Sequence, residues 1–333
     1  MLILLKTPDI NLKNTIMSHK NYIYILLIYL FSISFVSCQE EEKYTEYIAI
    51  PKTEIGKKLV ENTDLIALVY NDTTYEVKSG VSVTELGFLS MTGYATHMFI
   101  YQVDLTYPEI HIEVSTPYNK PVFGRQKMTE QATYEDSEDD VVLGGINGDF
   151  FDMNSGVPFG IVYKDGVAIK TYAKPPSGVP SDEFHWFAIT NENKAIIGNQ
   201  DNYDDLKSDF QEAIGGGVML LQNGKIQPQT IISLDPRTTV GVTEDGTEVY
   251  FLVVDGRYFS YSSGMNYLEL ADCMKALGVF NAVNLDGGGS STFFMRNEQD
   301  PNSEYFEIIN HPSDNGGEER EVANGLLIKS LNK

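Results

Sequence analysis

The hydrophobic pattern opens with one apolar run, Tyr22 to Phe35, and then turns polar and acidic over residues 38–60. Such a run is shorter than the about 20 apolar residues a membrane span needs, and it has the size of an export-signal core. From residue 61 onward the pattern becomes that of a folded domain. Asp64–Tyr70, His97–Leu105 and Ile110–Ser115 are rich in Val, Ile, Tyr and Thr and are broken by Gly, Asn and Pro, which predicts strands. Lys127–Tyr134 predicts a short helix, and Val141–Ile146 a strand. Three hairpins are signalled by Lys164-Asp165-Gly166, Asn191-Glu192-Asn193 and Gln222-Asn223-Gly224, each between apolar segments. Asp201–Ala213 has the composition of a helix, and no period of 20–50 residues marks a solenoid or propeller.

The sharpest signal spans residues 248–296. Val249–Val254 and Val279–Leu285 are short continuous apolar runs, the mark of strands buried on both faces. Between them Tyr267, Leu270, Ala271, Met274 and Leu277 form one apolar stripe at helical spacing, and Gly278 is a natural stop. The expected fold class is α+β: a mixed, β-sheet-rich domain with many hairpins and a strand-helix-strand unit at 248–296. A helical crossover makes its two strands parallel, so Asp255 and Asp286 arrive at one rim, where open sheets hold ligands.

That rim collects the candidate chemistry. Asp255-Gly256-Arg257 follows one strand, and Asp286-Gly287-Gly288-Gly289-Ser290-Ser291 follows the other. Consecutive glycines allow close backbone approach, and exposed N–H groups in such loops hold anions. No lysine follows the glycines, so the loop is not a nucleotide-binding P-loop. Asn147-Gly148-Asp149 after Val141–Ile146, Arg237 before Thr239–Val242, and His311 and Arg320 in a late polar loop complete the set. The block Glu135–Asp140 reads as a solvated charge run with calcium binding as its alternative.

Charge and cysteines restrict the picture further. The net charge of −23 makes nucleic acid an unsuitable partner, and an anionic ligand must be held by locally placed arginines. The apolar run ends at Phe35-Val36-Ser37-Cys38, which resembles a bacterial lipobox, with Met17 as an alternative start. Residues 1–37 are therefore expected to be a signal peptide and 38–60 a tether acylated at Cys38. The domain is expected to span 61–333, in the Gram-negative cell envelope as an outer-membrane lipoprotein. Membrane contact would be through the lipid anchor alone. Cys273 is then left without a disulfide partner and lies off the helix stripe, an ordinary helix residue.

Seven segments in order resemble the phosphodiester glycosidase domain family: Ile146–Phe151, Gly156–Gly160, Asp235–Val242, Val253–Arg257, Met265–Ala271, Asn284–Ser291 and Arg320–Leu326. The resemblance covers about residues 95–330, with Asp149 a departure from the small residue more often found there. It implies hydrolysis of glycosyl-1-phosphodiesters of the sugar-phosphate-sugar type, such as GlcNAc-1-phosphate diesters, to free sugar and a phosphomonoester. On this reading Asp286 or Asp255 is base or nucleophile, and Glu269 is an acid or orienting group. Arg237, Arg257, Arg320 and the loop Gly287, Gly288, Gly289, Ser290 and Ser291 bind phosphate, with Asn147 and Asp149 at the sugar. The substrate partner would be a phosphorylated glycan. No cofactor is implied, although the converging carboxylates leave a divalent cation such as calcium open, and no zinc-type histidine spacing is present. Two alternatives remain. One is another polysaccharide-directed hydrolase on the same scaffold. The other is a non-catalytic glycan-binding surface lipoprotein using the aromatic stretches near Phe184, Trp186 and Tyr258–Tyr261.

Overall fold

The computed structural model describes residues 48–173, 184–297, 305–314 and 316–332. The expected signal peptide, the acylation site Cys38 and the tether up to residue 47 lie outside the described residues. The helices are α1 (Glu54–Asn62), α2 (Met128–Glu135), α3 (Gln200–Leu206) and α4 (Tyr267–Ala276). The first strands are β1 (Ile66–Lys78), β2 (Val81–Ser90), β3 (Ala95–Asp104), β4 (Ile110–Ser115) and β5 (Asp140–Asn147). Then come β6 (Val162–Lys164), β7 (Val167–Lys170), β8 (His185–Thr190), β9 (Ala195–Asn199), β10 (Phe210–Gly216), β11 (Met219–Gln222) and β12 (Lys225–Ile226). The last are β13 (Arg237–Val242), β14 (Glu248–Val254), β15 (Asn281–Asn284), β16 (Phe293–Arg296), β17 (Phe306–Ile308) and β18 (Gly325–Leu331).

These strands form one eight-stranded sheet, β1-β2-β3-β14-β13-β15-β11-β12, and two five-stranded sheets, β7-β6-β10-β8-β9 and β17-β16-β5-β18-β4. Period-two alternation decides the layering. In β14, Val249, Phe251 and Val253 face a core shared with both smaller sheets, while Tyr250, Leu252 and Val254 face α1 and α4. A strand buried on both sides has no polar face, hence its uninterrupted apolar sequence. α2 covers the outer face of one small sheet through Met128 and Ala132 against Val142, Phe294 and Leu327. Tyr203 of α3 packs with Trp186, Phe210 and Ala213 on the other. The expected α+β, sheet-rich class is the one observed.

The strand-helix-strand unit is also present. β14 and β15 each pair antiparallel with β13, so they run in the same direction with β13 between them. The stripe of α4 is buried in the sheet's helix-side core, and Asn266 and Glu269 close a capping box at its start. Cys273 is buried in that core too, so it packs as a small apolar residue.

Three expectations need correction. The folded body begins before residue 61, because α1 buries Ile55 and Leu59 and its cap Thr53 is held by the buried carboxylate of Asp72 at 2.6 Å. Residues 201–213 are not one helix. α3 ends at Leu206, having buried only Tyr203, and Phe210 opens β10. β1 extends well past Tyr70 and turns at Gly80 into β2, since its polar second half lies exposed at a sheet edge, where apolar alternation is weak. No helix among the described residues is long and apolar enough to cross a membrane.

Candidate functional site

The ends of β14 and β15 and the start of β13 meet at one rim, with Arg237 paired in register opposite Val254. The end of β5 is tied to it from the neighbouring sheet. Asp286 N–H donates to Gly148 O at 2.9 Å, and Asn147 Nδ2 donates to Asp286 O at 2.6 Å. Asn147 Oδ1 accepts from Thr238 Oγ1 at 2.8 Å and from Thr292 N–H at 3.0 Å. Asn147 is fully buried, so it is a tie between sheets and not the sugar-contacting group expected.

The glycine loop follows directly. Gly288 lies at φ +62° with the Arg257 guanidinium over it, where an added Cβ would stand 3.1 Å from Nη2. At Gly289 a Cβ would fall 2.1 Å from Asp314 Cγ, so only glycine fits. The loop is not the open array of backbone donors expected. The N–H groups of Gly288, Ser290 and Ser291 donate to Pro236 O, Gly287 O and Gly288 O, closing a turn of 3-10 helix over Gly288–Ser290. Ser291 is buried with its hydroxyl unpartnered, while the buried Ser290 hydroxyl bonds the Asp286 carboxylate.

Positive charge reaches the loop from two sides. Arg320 donates from Nη1 to Ser290 Oγ at 3.2 Å, and its Nε and Nη2 grip Asp314 Oδ2, the former at 2.9 Å. Arg257 donates from Nε to Asp235 Oδ1 at 3.1 Å and keeps about half its side chain exposed. Arg237 is different. It is buried, stacks on Tyr267 with 4.3 Å between guanidinium carbon and ring centre, and gives Nε to Met265 O and Nη2 to Ser233 O, each at 2.9 Å. Those bonds tie Arg237 into the scaffold, in contrast to Arg257 and Arg320, which reach the loop itself.

The carboxyls divide in the same way. Asp255 is buried and saturated: Oδ1 accepts from Asn310 Nδ2 at 2.8 Å, Oδ2 from His311 N–H at 2.8 Å and Tyr261 OH at 3.1 Å. Burial still lifts its pKa to about 6 against those bonds. Burial also raises Asp286 to about 6, with Ser290, Arg320 and Gly287 pulling the other way. Asp149 is the most perturbed, raised to about 7 by burial and by the charge of Asp286 despite the Gly160 N–H and Lys170. Its Oδ2 accepts from Gly160 N–H at 2.6 Å, while its buried Oδ1 has no partner. Glu269 does not join this group. As third residue of α4 it accepts from Asn266 N–H at 3.0 Å, so its carboxylate caps the helix.

Comparison with known proteins fits this geometry. The sequence profile of the phosphodiester glycosidase (NAGPA) family matches residues 140–329, more than half of the chain. The chain belongs to that family. The match starts at β5, later than residue 95, and contains Asn147, Asp149, Arg237, Asp255, Arg257, Asp286 and Arg320. The chain is 29% identical over 182 residues to mouse N-acetylglucosamine-1-phosphodiester alpha-N-acetylglucosaminidase, covering 47% of this chain and 33% of the mouse protein. The human protein is 28% identical over 169 residues, 45% of this chain and 31% of that one. The chain thus spans about a third of the length of the curated relatives it matches. The Bacillus subtilis SPbeta prophage-derived uncharacterized protein YomE is 30% identical over 183 residues, 53% of this chain and 26% of that protein. In fold, the chain resembles the zebrafish N-acetylglucosamine-1-phosphodiester alpha-N-acetylglucosaminidase catalytic domain auto-inhibited by pro-peptide. The TM-score is 0.55 at 20% identity, over 80% of this chain and 89% of that one.

Within this phosphodiester glycosidase domain the remaining candidates fall away from the rim. His111, Glu113 and Asp140 are spaced to hold a metal ion, but they lie at the opposite end of β5, about 20 Å along the strand. Lys329 already bonds Glu113 at 2.9 Å and Asp140 at 2.6 Å, and Lys164 pairs with the buried Glu135 at 3.1 Å. Asp136 pairs with Arg296. In the acidic block 135–140, Glu135, Asp136 and Asp140 are therefore paired with cations, while Glu138 and Asp139 are exposed as in a solvated charge run. Trp186 and Phe184 are core residues, whereas Tyr258 and Phe259 of the other expected aromatic stretch are exposed. The sequence reading missed Asp235 and Asp314, which hold Arg257 and Arg320, and Asn310 and Tyr261, which hold Asp255. A faint signal existed for Asp235 alone, which opens the Asp235–Val242 segment two residues before Arg237.

Proposed function

We propose that this protein hydrolyses glycosyl-1-phosphodiesters at the bond between the anomeric carbon and oxygen, releasing free sugar and a phosphomonoester. The observation that carries the reading is one carboxyl, Asp286, raised to about 6 by burial, sharing Ser290 with Arg320 and lying in the loop covered by Arg257. A group with that pKa is ionised near neutral pH yet still basic enough to accept a proton. The names of the mouse and human relatives supply the substrate class, GlcNAc-1-phosphate diesters.

In the proposed reaction Asp286 supports attack at C1, either as base taking a proton from the attacking water or as nucleophile forming a glycosyl ester that water then hydrolyses to free sugar. The C1–O bond breaks with its electron pair going to the phosphate oxygen. A phosphate monoester has a second pKa of about 6, so it departs near neutral pH without a strong acid. Arg257 and Arg320 meet the charge that builds on it, and each is pre-aimed by an aspartate. Asp255 is excluded as nucleophile, because all three bonds to its carboxylate come from the scaffold. The arginines supply the positive charge, so full activity in excess chelator is the expected outcome.

The test is release of free GlcNAc from a GlcNAc-1-phosphate diester in heavy-oxygen water. Label in the sugar supports the reading, and label in the phosphate replaces it with phosphodiester P–O cleavage. No turnover across a panel of such diesters would leave a glycan-binding role. Export and acylation are a separate proposal, checked by lipid labelling of the wild-type chain against Cys38→Ser.

A further inference from the structure

The far end of β5 holds a cluster that ion pairing alone does not account for. His111 and Glu113 stand two residues apart on β4 and so share one face of that edge strand, while Asp140 opens β5 on the other side of β18. Their donor atoms converge. His111 Nε2 lies 3.4 Å from Glu113 Oε1 and 3.3 Å from Asp140 Oδ1, and the three ligand atoms all fall within 4.8 Å of one another. A charged hydrogen bond would draw such atoms to about 2.8 Å. These stop short of it, and the buried Asp140 Oδ1 has no hydrogen-bond partner. The separations fit a metal ion instead, since ligands bound at about 2.0–2.1 Å on the corners of a tetrahedron stand about 3.3 Å apart.

The neighbours hold these three atoms in place without using them. Lys329 spends its ammonium on the outer oxygens, Glu113 Oε2 at 2.9 Å and Asp140 Oδ2 at 2.6 Å, which leaves the inner oxygens toward the imidazole. His111 Nδ1 faces Glu109 O at 3.4 Å. A carbonyl only accepts, so it places the ring proton on Nδ1 and leaves the lone pair of Nε2 for a ligand bond. Lys329 pairs with His111 across β4 and β18, and the register of β18 against β5 shifts between Ile328 and Lys329, the kind of bulge that re-aims side chains. A cleft of about 380 Å³ lined by the three residues with Asn191 and Gln211 reaches the cluster, with room for water as a fourth ligand. Donor chemistry selects the ion. Calcium and magnesium take oxygen ligands, whereas one imidazole nitrogen beside two carboxylates suits zinc.

We propose that His111, Glu113 and Asp140 bind one zinc ion, with water as the fourth ligand, and that the ion fastens the edge strand β4 to β5. Any proton on His111 Nε2 is released to solvent as the ion takes its place. The site lies away from the rim and does not rest on the proposed reaction, so its test reads binding and stability. Calorimetry on folded, chelator-stripped wild-type protein should show one zinc ion per chain. A hundredfold excess of zinc over its Kd should raise the thermal midpoint by about 5 °C. Cobalt in place of zinc should give the visible absorption of a tetrahedral site. His111→Gln and Asp140→Asn should each weaken zinc binding about a hundredfold, and Glu138→Gln, on the exposed acidic run nearby, should leave it unchanged. Less than one zinc per wild-type chain, an unchanged affinity in both ligand variants, a six-coordinate cobalt spectrum, or displacement of zinc by an equal concentration of calcium would each overturn the site. Where a variant fails to fold, the cobalt spectrum and the calcium competition on the wild type still decide.

Discussion

β5 carries ionisable groups at both ends, and the two ends treat them in opposite ways. At the Asp140 end acids and bases are matched. Burial would raise Glu113, but His111, Lys329 and Lys164 together pull it to about 2. Asp140 is likewise lowered against burial by His111 and Lys329, and His111 is raised to about 9 by Asp140 and Glu113 although burial opposes it. Glu135 is the exception, raised by burial in spite of Lys164. At the Asn147 end burial wins throughout, and Asp149, Asp255 and Asp286 are raised to about 7, 6 and 6. The nearby cations are partly spent on Asp235 and Asp314. The lesson is that buried acids in this fold are matched by cations where they hold strands together and left short of cations at the rim, where perturbed carboxyls mark a candidate site.

That contrast can be broken most sharply at Asp286. Asp286→Asn should lower kcat roughly a thousandfold, as loss of a central catalytic group does, and should leave the thermal midpoint unchanged or higher, since it removes an acid that the fold disfavours in its charged form. A variant that kept wild-type turnover would remove Asp286 from the chemistry. Lys329→Met should do the reverse. It takes the nearest cation from Glu113 and Asp140 and leaves them only His111 and Lys164, so urea titration should show a loss of about 3 kcal/mol, with kcat unchanged. Next in size is Arg320→Met, expected to reduce kcat/KM by roughly a hundredfold through loss of charge at the leaving phosphate; an effect on stability alone would make it a structural clamp.

The pH responses of the two ends should also differ in sign. Raised folded pKa values mean that the native state holds extra protons, so the Asn147 end loses stability as pH climbs from about 4 toward 7. Glu113 contributes stability that is complete above about 4.5 and lost as pH falls toward 2. The His111 contribution is present below 6.5 and lost as pH rises through about 9. Asp149→Asn should therefore flatten the fall in stability between pH 4 and 7, by about 1.4 kcal/mol for each unit its acid was raised. Urea midpoints at several pH values check this, and an unchanged slope would mean that Asp149 is not a buried acid. The smallest effect should be on the activity profile, with kcat/KM rising through pH about 6 as Asp286 ionises; a profile flat across that range would separate the rate from this carboxyl.

Some of this is legible in the sequence. The apolar runs of β14 and β15, the stripe of α4, the three hairpin turns and the rim carrying Asp255, Arg257 and Asp286 all follow from local patterns, because periodicity and turn chemistry act over a few residues. The extent of β1, the end of α3 and the fold's start at α1 were harder, since exposed edges and short helices leave weak patterns.

The sequence by itself determined which residue types gather at the rim and which family's motifs they follow. Tertiary structure alone decided their roles. Asn147, Arg237, Asp255 and Glu269 looked as suited to substrate as Asp286 and Arg320, yet their side chains are held by the carbonyl of Asp286, the carbonyls of Met265 and Ser233, the donors around Asn310 and the N-cap of α4. Those partners come from distant segments of chain or from a helix terminus. A side chain's freedom to meet a ligand depends on which hydrogen bonds the folded protein has already claimed, and no local pattern records that.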